Sequence, residues 1–197
     1  MSEIGIVDTT FASVDMGHIV ERTLKDHATN VRTHRYTVPG IKDLAVASKR
    51  LLEQGCELVI ACGMPGPEAV DKQSAHVAST GLQFAQVMTS KHIVEIFVHL
   101  DEAKDENELV ALTNKRCSEH AINALALLRG PTALTPRAGT GRRQGFADVG
   151  EAGRIRADVD PFKARYQNPA DPTNPGSARS AAGSRFGSGT SGNAGKH

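Results

Sequence analysis

The chain contains only three cysteines, Cys56, Cys62 and Cys117, which are widely spaced in apolar or helical surroundings. It has no Cys-x-x-Cys pair and no Cys/His spacing typical of a metal site. Disulfide frameworks belong to oxidising compartments and to dense cysteine patterns, so these residues indicate reduced thiols. We therefore expect a cytoplasmic protein.

Long apolar runs and a strong charge imbalance are also missing. No run approaches the roughly 20 residues needed to cross a bilayer. The first 20 residues carry Glu3, Asp8 and Asp15, which argues against a signal peptide. The net charge is only +1, so composition favours neither a nucleic acid nor a membrane as partner.

The sequence lacks the common motifs for nucleotide binding and hydrolysis. There is no GxxxxGK[ST] or GxGxxG loop, which argues against ATP and dinucleotides. There is also no GxSxG elbow and no HExxH pair. We therefore expect neither a nucleotide cofactor nor hydrolysis by a GxSxG serine or an HExxH zinc site.

Composition divides the chain into three parts. Residues 1–130 hold the apolar segments and are predicted to form one domain. Residues 131–156 form a basic extension, either a solvated surface or a clamp for an anionic ligand or a neighbouring subunit. Its arginines are Arg137, Arg142, Arg143, Arg154 and Arg156. Residues 157–197 become rich in Gly, Ala, Ser, Asn and Pro, and we predict that they are disordered.

Apolar periodicity in the first part predicts four strands that alternate with four helices. The strands are expected over residues 4–8, 31–38, 58–62 and 93–100, and the helices over residues 16–24, 41–55, 71–88 and 109–128. This order predicts an α/β domain whose four-stranded parallel sheet has helices on both faces and binds its ligand at the carboxyl ends of the strands.

Two of the predicted helices carry further information. The helix over 71–88 shows one apolar stripe with Ala75 and Leu82 and a second with Val77, Phe84 and Met88, so a second surface, such as another subunit, should cover it. In the last helix, the predicted inward residues are Val110, Cys117, Ala121, Ala124 and Leu128.

Eight polar residues are predicted near the ligand-binding edge: Asp8, Thr9, Thr10, Asp43, Asp71, His76, Glu95 and His99. Each also has a structural explanation. Aspartate and threonine favour turns and helix starts, and a histidine beside an apolar stripe is either a buried structural imidazole or a proton carrier. Phe11 either lies beneath its own loop or stacks on a heterocycle.

Several segments together carry a family resemblance. They are IVDTTFASVDM (6–16), TVPGIKDLAVASKRLLEQGC (37–56), CGMPG (62–66), DKQSAHVASTGL (71–82), TSKHIVEIFVH (89–99), DEAKDENEL (101–109) and RAGTGRRQGFADVG (137–150). They resemble the archaeal-type riboflavin synthases. The VPG followed by Asp43 also resembles lumazine synthase, to which that family looks homologous.

The resemblance implies a three-layer α/β/α fold of the flavodoxin-like, lumazine-synthase-like kind, assembled as a homopentamer with sites between neighbouring subunits. It also implies a dismutation without organic cofactor, in which two 6,7-dimethyl-8-ribityllumazine molecules exchange a four-carbon unit. The products are riboflavin and 5-amino-6-ribitylaminopyrimidinedione. The family is associated with Mg²⁺, although no metal-ligand spacing here supports a tight site.

The resemblance also implies roles for individual residues. Phe11 would stack on the ring, Asp43 would accept hydrogen bonds from the ribityl chain, and His76, Glu95 or His99 would move protons. The full predicted substrate-binding set is Thr10, Phe11, Val38, Pro39, Gly40, Ile41, Asp43, Met64, Pro65, Gly66 and Asp71.

Three alternatives remain open at this stage. The first is lumazine synthase, although the position of its catalytic histidine falls near Val70 here. The second is a non-catalytic flavin or lumazine binder, which would keep Phe11 and Asp43 but need no proton carriers. The third is a module whose basic extension binds RNA, for which affinity should be salt-sensitive and vanish without that extension.

Deletion of residues 157–197 should leave assembly and activity nearly unchanged, because the segment has too little apolar surface to pack on the domain. Light scattering and product formation by the truncated and full-length chains would test this. A large loss of either property would show that the segment folds on the domain.

Overall fold

The computed structural model describes residues 1–143 and 146–150 of the chain. Its strands are β1 (Ser2–Thr9), β2 (Val31–Val38), β3 (Leu58–Gly63) and β4 (Ile93–Phe97). Its helices are α1 (Met16–His27), α2 (Leu44–Glu53), α3 (Ala69–Thr89) and α4 (Glu106–Leu128). The predicted disorder of residues 157–197, with Arg154 and Arg156, lies outside the described residues.

The four strands form one parallel sheet in the order β2-β1-β3-β4. β1 and β3 occupy the centre, and β3 is buried at all six positions, as expected for a parallel strand covered on both faces. Because all four strands run the same way, their carboxyl ends meet at one edge. The predicted α/β fold class is confirmed.

Helices cover both faces of the sheet and divide the core into two layers. Side chains alternate between the faces along each strand, so Ile4 and Ile60 face α1 and α4, whereas Val7 and Val59 face α2 and α3. Within the described residues, no helix is long and apolar enough to span a bilayer.

Local hydrogen bonds explain how two helices begin. The Asp15 carboxylate accepts a bond from the His18 amide at 3.0 Å and caps α1. Asp105 caps α4 in the same way by accepting from the Glu108 amide at 2.9 Å. α4 therefore begins three residues before the predicted start at Leu109.

Two further element boundaries and one buried position were predicted incorrectly. Residues Ile41–Asp43 form a 3₁₀ turn, so α2 begins only at Leu44. β4 ends at Phe97 instead of residue 100, and residues Leu100–Glu102 form a second 3₁₀ turn. Val110 is 39% exposed because it lies in the first turns of α4, ahead of the buried face at Cys117, Ala121 and Ala124.

Candidate functional site

A cleft of about 420 Å³ opens at the carboxyl edge of the sheet, where the segments that follow β1, β2 and β3 come together. Nine of the eleven predicted substrate-binding residues line it: Phe11, Pro39, Gly40, Ile41, Asp43, Met64, Pro65, Gly66 and Asp71. Lys42 and Ser74 also line it and were not predicted. Ser74 follows Asp71 by one helical turn, and that spacing could have identified it.

The two remaining predicted residues, Thr10 and Val38, join the first two loops. The Thr10 amide donates to the Val38 carbonyl at 2.9 Å, and the Thr10 hydroxyl donates to the Pro39 carbonyl at 3.3 Å. The Val38 side chain belongs to the core. These bonds hold Phe11, which is 67% exposed, beside the Pro39–Gly40 turn.

An ion network below the first loop was missed by the sequence analysis. Arg35 of β2 donates two bonds to the buried Asp8 carboxylate and one, at 2.6 Å, to Asp15. The Thr37 hydroxyl also donates to Asp8 at 2.7 Å. Hydrogen bonding to Asp8 raises the pKa of the Arg35 guanidinium. Asp8 thus fixes the start of the loop that carries Phe11 and does not line the cleft.

The segment after β3 forms the floor and one wall of the cleft. Met64 is fully buried, and its sulfur accepts a bond from the Ser13 hydroxyl at 3.1 Å. A Cβ atom on Gly66 would lie 2.3 Å from the Asp71 Oδ2 atom. Only glycine therefore lets the Asp71 carboxylate come this close to the loop backbone.

Asp43 is exposed at the N-terminal end of α2, but its side chain makes no capping bond. The helix dipole still favours a carboxylate there. Because the carboxylate makes no capping bond and lines the cleft, it is available to a ligand there.

The three predicted proton carriers, Glu95, His99 and His76, lie outside the cleft. Glu95 of β4 accepts a bond from the Ser79 hydroxyl of α3 at 2.9 Å. Burial raises the pKa of the Glu95 carboxyl above its ordinary value, and Ser79 and the nearby His99 oppose this shift. His99 Nδ1 is buried without a hydrogen-bond partner among the described residues. His76 is exposed on α3, and none of the three lines the cleft.

The described residues contain no cluster that would hold a divalent cation through protein ligands alone. Mg²⁺ sites use carboxylate oxygens with water or phosphate, yet no group of three or more His, Cys, Asp or Glu side chains stands close enough to hold a metal in the part of the chain that the structure describes.

The chain is similar both to a lumazine synthase family model and to proteins named riboflavin synthase. The family model described as 6,7-dimethyl-8-ribityllumazine synthase matches residues 2–131. A protein named riboflavin synthase from Methanothermobacter marburgensis is 54% identical over 151 residues, which cover 76% of this chain and 99% of that protein. Proteins of the same name from Aeropyrum pernix and Archaeoglobus fulgidus are 47% and 46% identical over 75% of this chain, and 96% and 97% of their own lengths are covered.

Glu95→Gln should raise the melting temperature at pH 8, with the gain disappearing near pH 4. Because burial raises the folded-state pKa, the carboxyl contributes stability below its unfolded pKa and loses it as the pH rises through the folded value. Thermal unfolding across this pH range checks the expectation.

The exposed Glu57→Gln is the matched control for the loss of one negative charge. An equal rise in melting temperature for both variants would contradict the effect assigned to burial. So would a rise for Glu95→Gln that persists at low pH.

Proposed function

The chain belongs to the 6,7-dimethyl-8-ribityllumazine synthase family, and we propose that it acts as a riboflavin synthase. Two 6,7-dimethyl-8-ribityllumazine molecules would exchange a four-carbon unit, giving riboflavin and 5-amino-6-ribitylaminopyrimidinedione, with no organic cofactor. The observation that carries this proposal is the 54% identity to a named riboflavin synthase over 99% of its length. We place the reaction in the cytoplasm, where the three buried thiols stay reduced.

The cleft supplies the contacts that a ribityllumazine requires. Phe11 presents an exposed ring at the rim, where it can stack on the flat heterocycle. Ile41 and Met64 give the cleft apolar surface, and Pro39–Gly40 presents backbone groups. The Asp43 carboxylate, without a capping bond of its own, would accept hydrogen bonds from ribityl hydroxyls.

Proton transfer from the acidic 7-methyl group requires a base near neutral pH. Glu95 suits this role because burial raises its pKa, which brings a carboxylate closer to the ideal range for a general base. His99 is a candidate partner, because its imidazole is near enough to Glu95 to oppose the rise in the Glu95 pKa. His76 is the third candidate, on the exposed side of α3.

The separation of these groups from the cleft favours a site completed by a neighbouring subunit. α3 exposes a row of large apolar side chains, Val70, Val77, Phe84, Val87 and Met88, each more than half exposed. Exposed apolar patches of this kind mark interaction surfaces. We propose that this row packs between subunits of a homopentamer, so that the cleft of one subunit faces a neighbour.

Lumazine synthase activity is the second candidate, because the matching family model carries that name. Val70, the position where the lumazine synthase histidine would fall, is an exposed apolar residue and cannot carry a proton. A non-catalytic lumazine binder is the third candidate, since the cleft alone would suffice for it.

Incubation of the purified full-length protein with the lumazine alone tests the proposal. We expect riboflavin to accumulate both with Mg²⁺ and with a chelator present. Binding of unchanged lumazine would support the binder, and formation of lumazine from the pyrimidinedione and a four-carbon partner would support lumazine synthase.

Phe84→Asp should break the proposed pentamer into smaller species, because a charge would be buried at the subunit contact. Light scattering at micromolar concentration would show the change. Val110→Asp, at a partly exposed valine on α4, is the matched control and should leave the assembly intact. A monomeric wild-type protein would remove the shared-site model.

Asp43→Ala should weaken lumazine binding at least tenfold and lower the melting temperature only slightly. Charge-assisted hydrogen bonds contribute about 1.5 to 3 kcal/mol, whereas loss of the dipole interaction costs at most about 1 kcal/mol. A fluorescence titration gives the Kd and thermal unfolding the stability.

Asp105→Ala is the matched control, because Asp105 does cap its helix and lies away from the cleft. It should lower the melting temperature without changing the Kd. If Asp43→Ala behaves like Asp105→Ala, Asp43 supports its helix and does not bind substrate.

A further inference from the structure

Arg116 of α4 is a buried arginine whose role the cleft does not explain. Its side chain is only 7% exposed. Nη1 donates to the Phe97 carbonyl at 2.8 Å and to Glu102 Oε1 at 2.8 Å, and Nη2 donates to Glu102 Oε2 at 2.7 Å. This paired geometry is specific to arginine, because the ammonium group of lysine cannot reproduce the planar fork.

The same Glu102 oxygen also fixes the turn that follows β4. Oε1 accepts a bond from the His99 amide at 2.9 Å in addition to the bond from Arg116, and the Glu102 amide donates to the His99 carbonyl at 3.1 Å. Hydrogen bonding to Arg116 lowers the pKa of the Glu102 carboxyl, which therefore stays ionised. One buried arginine thus sets the conformation of residues 99–102.

This turn is bonded directly to a wall of the cleft. The Leu100 amide donates to the Pro65 carbonyl at 3.0 Å, and the Val98 amide donates to the Gly63 carbonyl at 3.1 Å. Pro65 lines the cleft between Met64 and Gly66. A displacement of the turn would therefore be transmitted to this loop through the Leu100–Pro65 and Val98–Gly63 bonds.

Phe146, in the basic extension, also contacts Arg116. The Arg116 guanidinium lies over the Phe146 ring, 5.3 Å from its centre, and Arg143 lies 5.0 Å from the same ring centre. Both distances fall within the range of a cation–π interaction. The extension therefore contributes to holding Arg116, although Phe146 is distant in sequence from every cleft residue.

We propose, on the basis of the function proposed above, that Arg116 is a positioning residue that acts through Glu102 and the turn after β4. It holds the Met64–Gly66 loop in the geometry that binds lumazine. Phe146 of the extension secures Arg116 in this position. Neither residue touches the substrate.

The test compares Arg116→Met with two α4 controls in the full-length protein. Leu125→Ala opens a cavity about two and a half turns further along the same helix and lowers stability in general. Lys115→Met removes an exposed charge beside Arg116. For Arg116→Met we expect the lumazine Kd and KM to rise tenfold or more, with kcat falling less than KM rises. For both controls we expect a Kd within twofold of wild type.

A Kd for Arg116→Met as close to wild type as that of an equally destabilised Leu125→Ala would overturn the proposal. That result is distinct from a failure of the proposed function, in which the wild-type protein itself would bind no lumazine or make no riboflavin.

Variants of Phe146 keep the test decisive if Arg116→Met fails to fold. Phe146 is 53% exposed, so its replacement should leave the domain folded. Phe146→Leu, which removes the ring's π face, should raise the Kd about two- to fivefold, and Phe146→Trp should restore it. Equal Kd values for Phe146→Leu, Phe146→Trp and wild type would contradict the role given to the extension.

Discussion

Parallel pairing of β1 with both β2 and β3 is the constraint on which the remaining structure depends. The registers place Thr9 opposite Val38 and Val7 opposite Ala61, so three loops leave the sheet at the same edge. Both faces are covered by helices, and the edge is therefore the part of the sheet where polar loop residues can gather around a ligand. The cleft is a consequence of this topology.

Some polar groups at this edge hold loops in place, and others keep free hydrogen-bonding capacity. The carboxylates of Asp8 and Glu102 are bound by arginines and hold loops in place. Asp43 lacks a capping bond, and His99 Nδ1 lacks a partner among the residues described. Burial of the Asp8 charge is tolerated because Arg35 pairs with it. Asp43 and His99 have the free hydrogen-bonding capacity that substrate binding and proton transfer require.

The strands could be predicted because buried parallel strands appear as apolar runs in the local sequence. The individual cleft residues came from the family resemblance and not from periodicity. Arg35 and Arg116 could not be identified in this way, because their partners lie 27 and 14 residues away along the chain and become neighbours only after folding. Val110 was misplaced because periodicity alone does not show where a long helix extends beyond the sheet.

We propose that this protein alone transfers a four-carbon unit between two lumazine molecules. The stoichiometry of the products tests this proposal most directly. Purified full-length protein would be incubated with the lumazine as the sole substrate, and all three compounds would be quantified by chromatography as the reaction proceeds. The account predicts one riboflavin and one pyrimidinedione for every two lumazines consumed. Riboflavin formed without an equal amount of pyrimidinedione, or lumazine recovered unchanged from the complex, would contradict it.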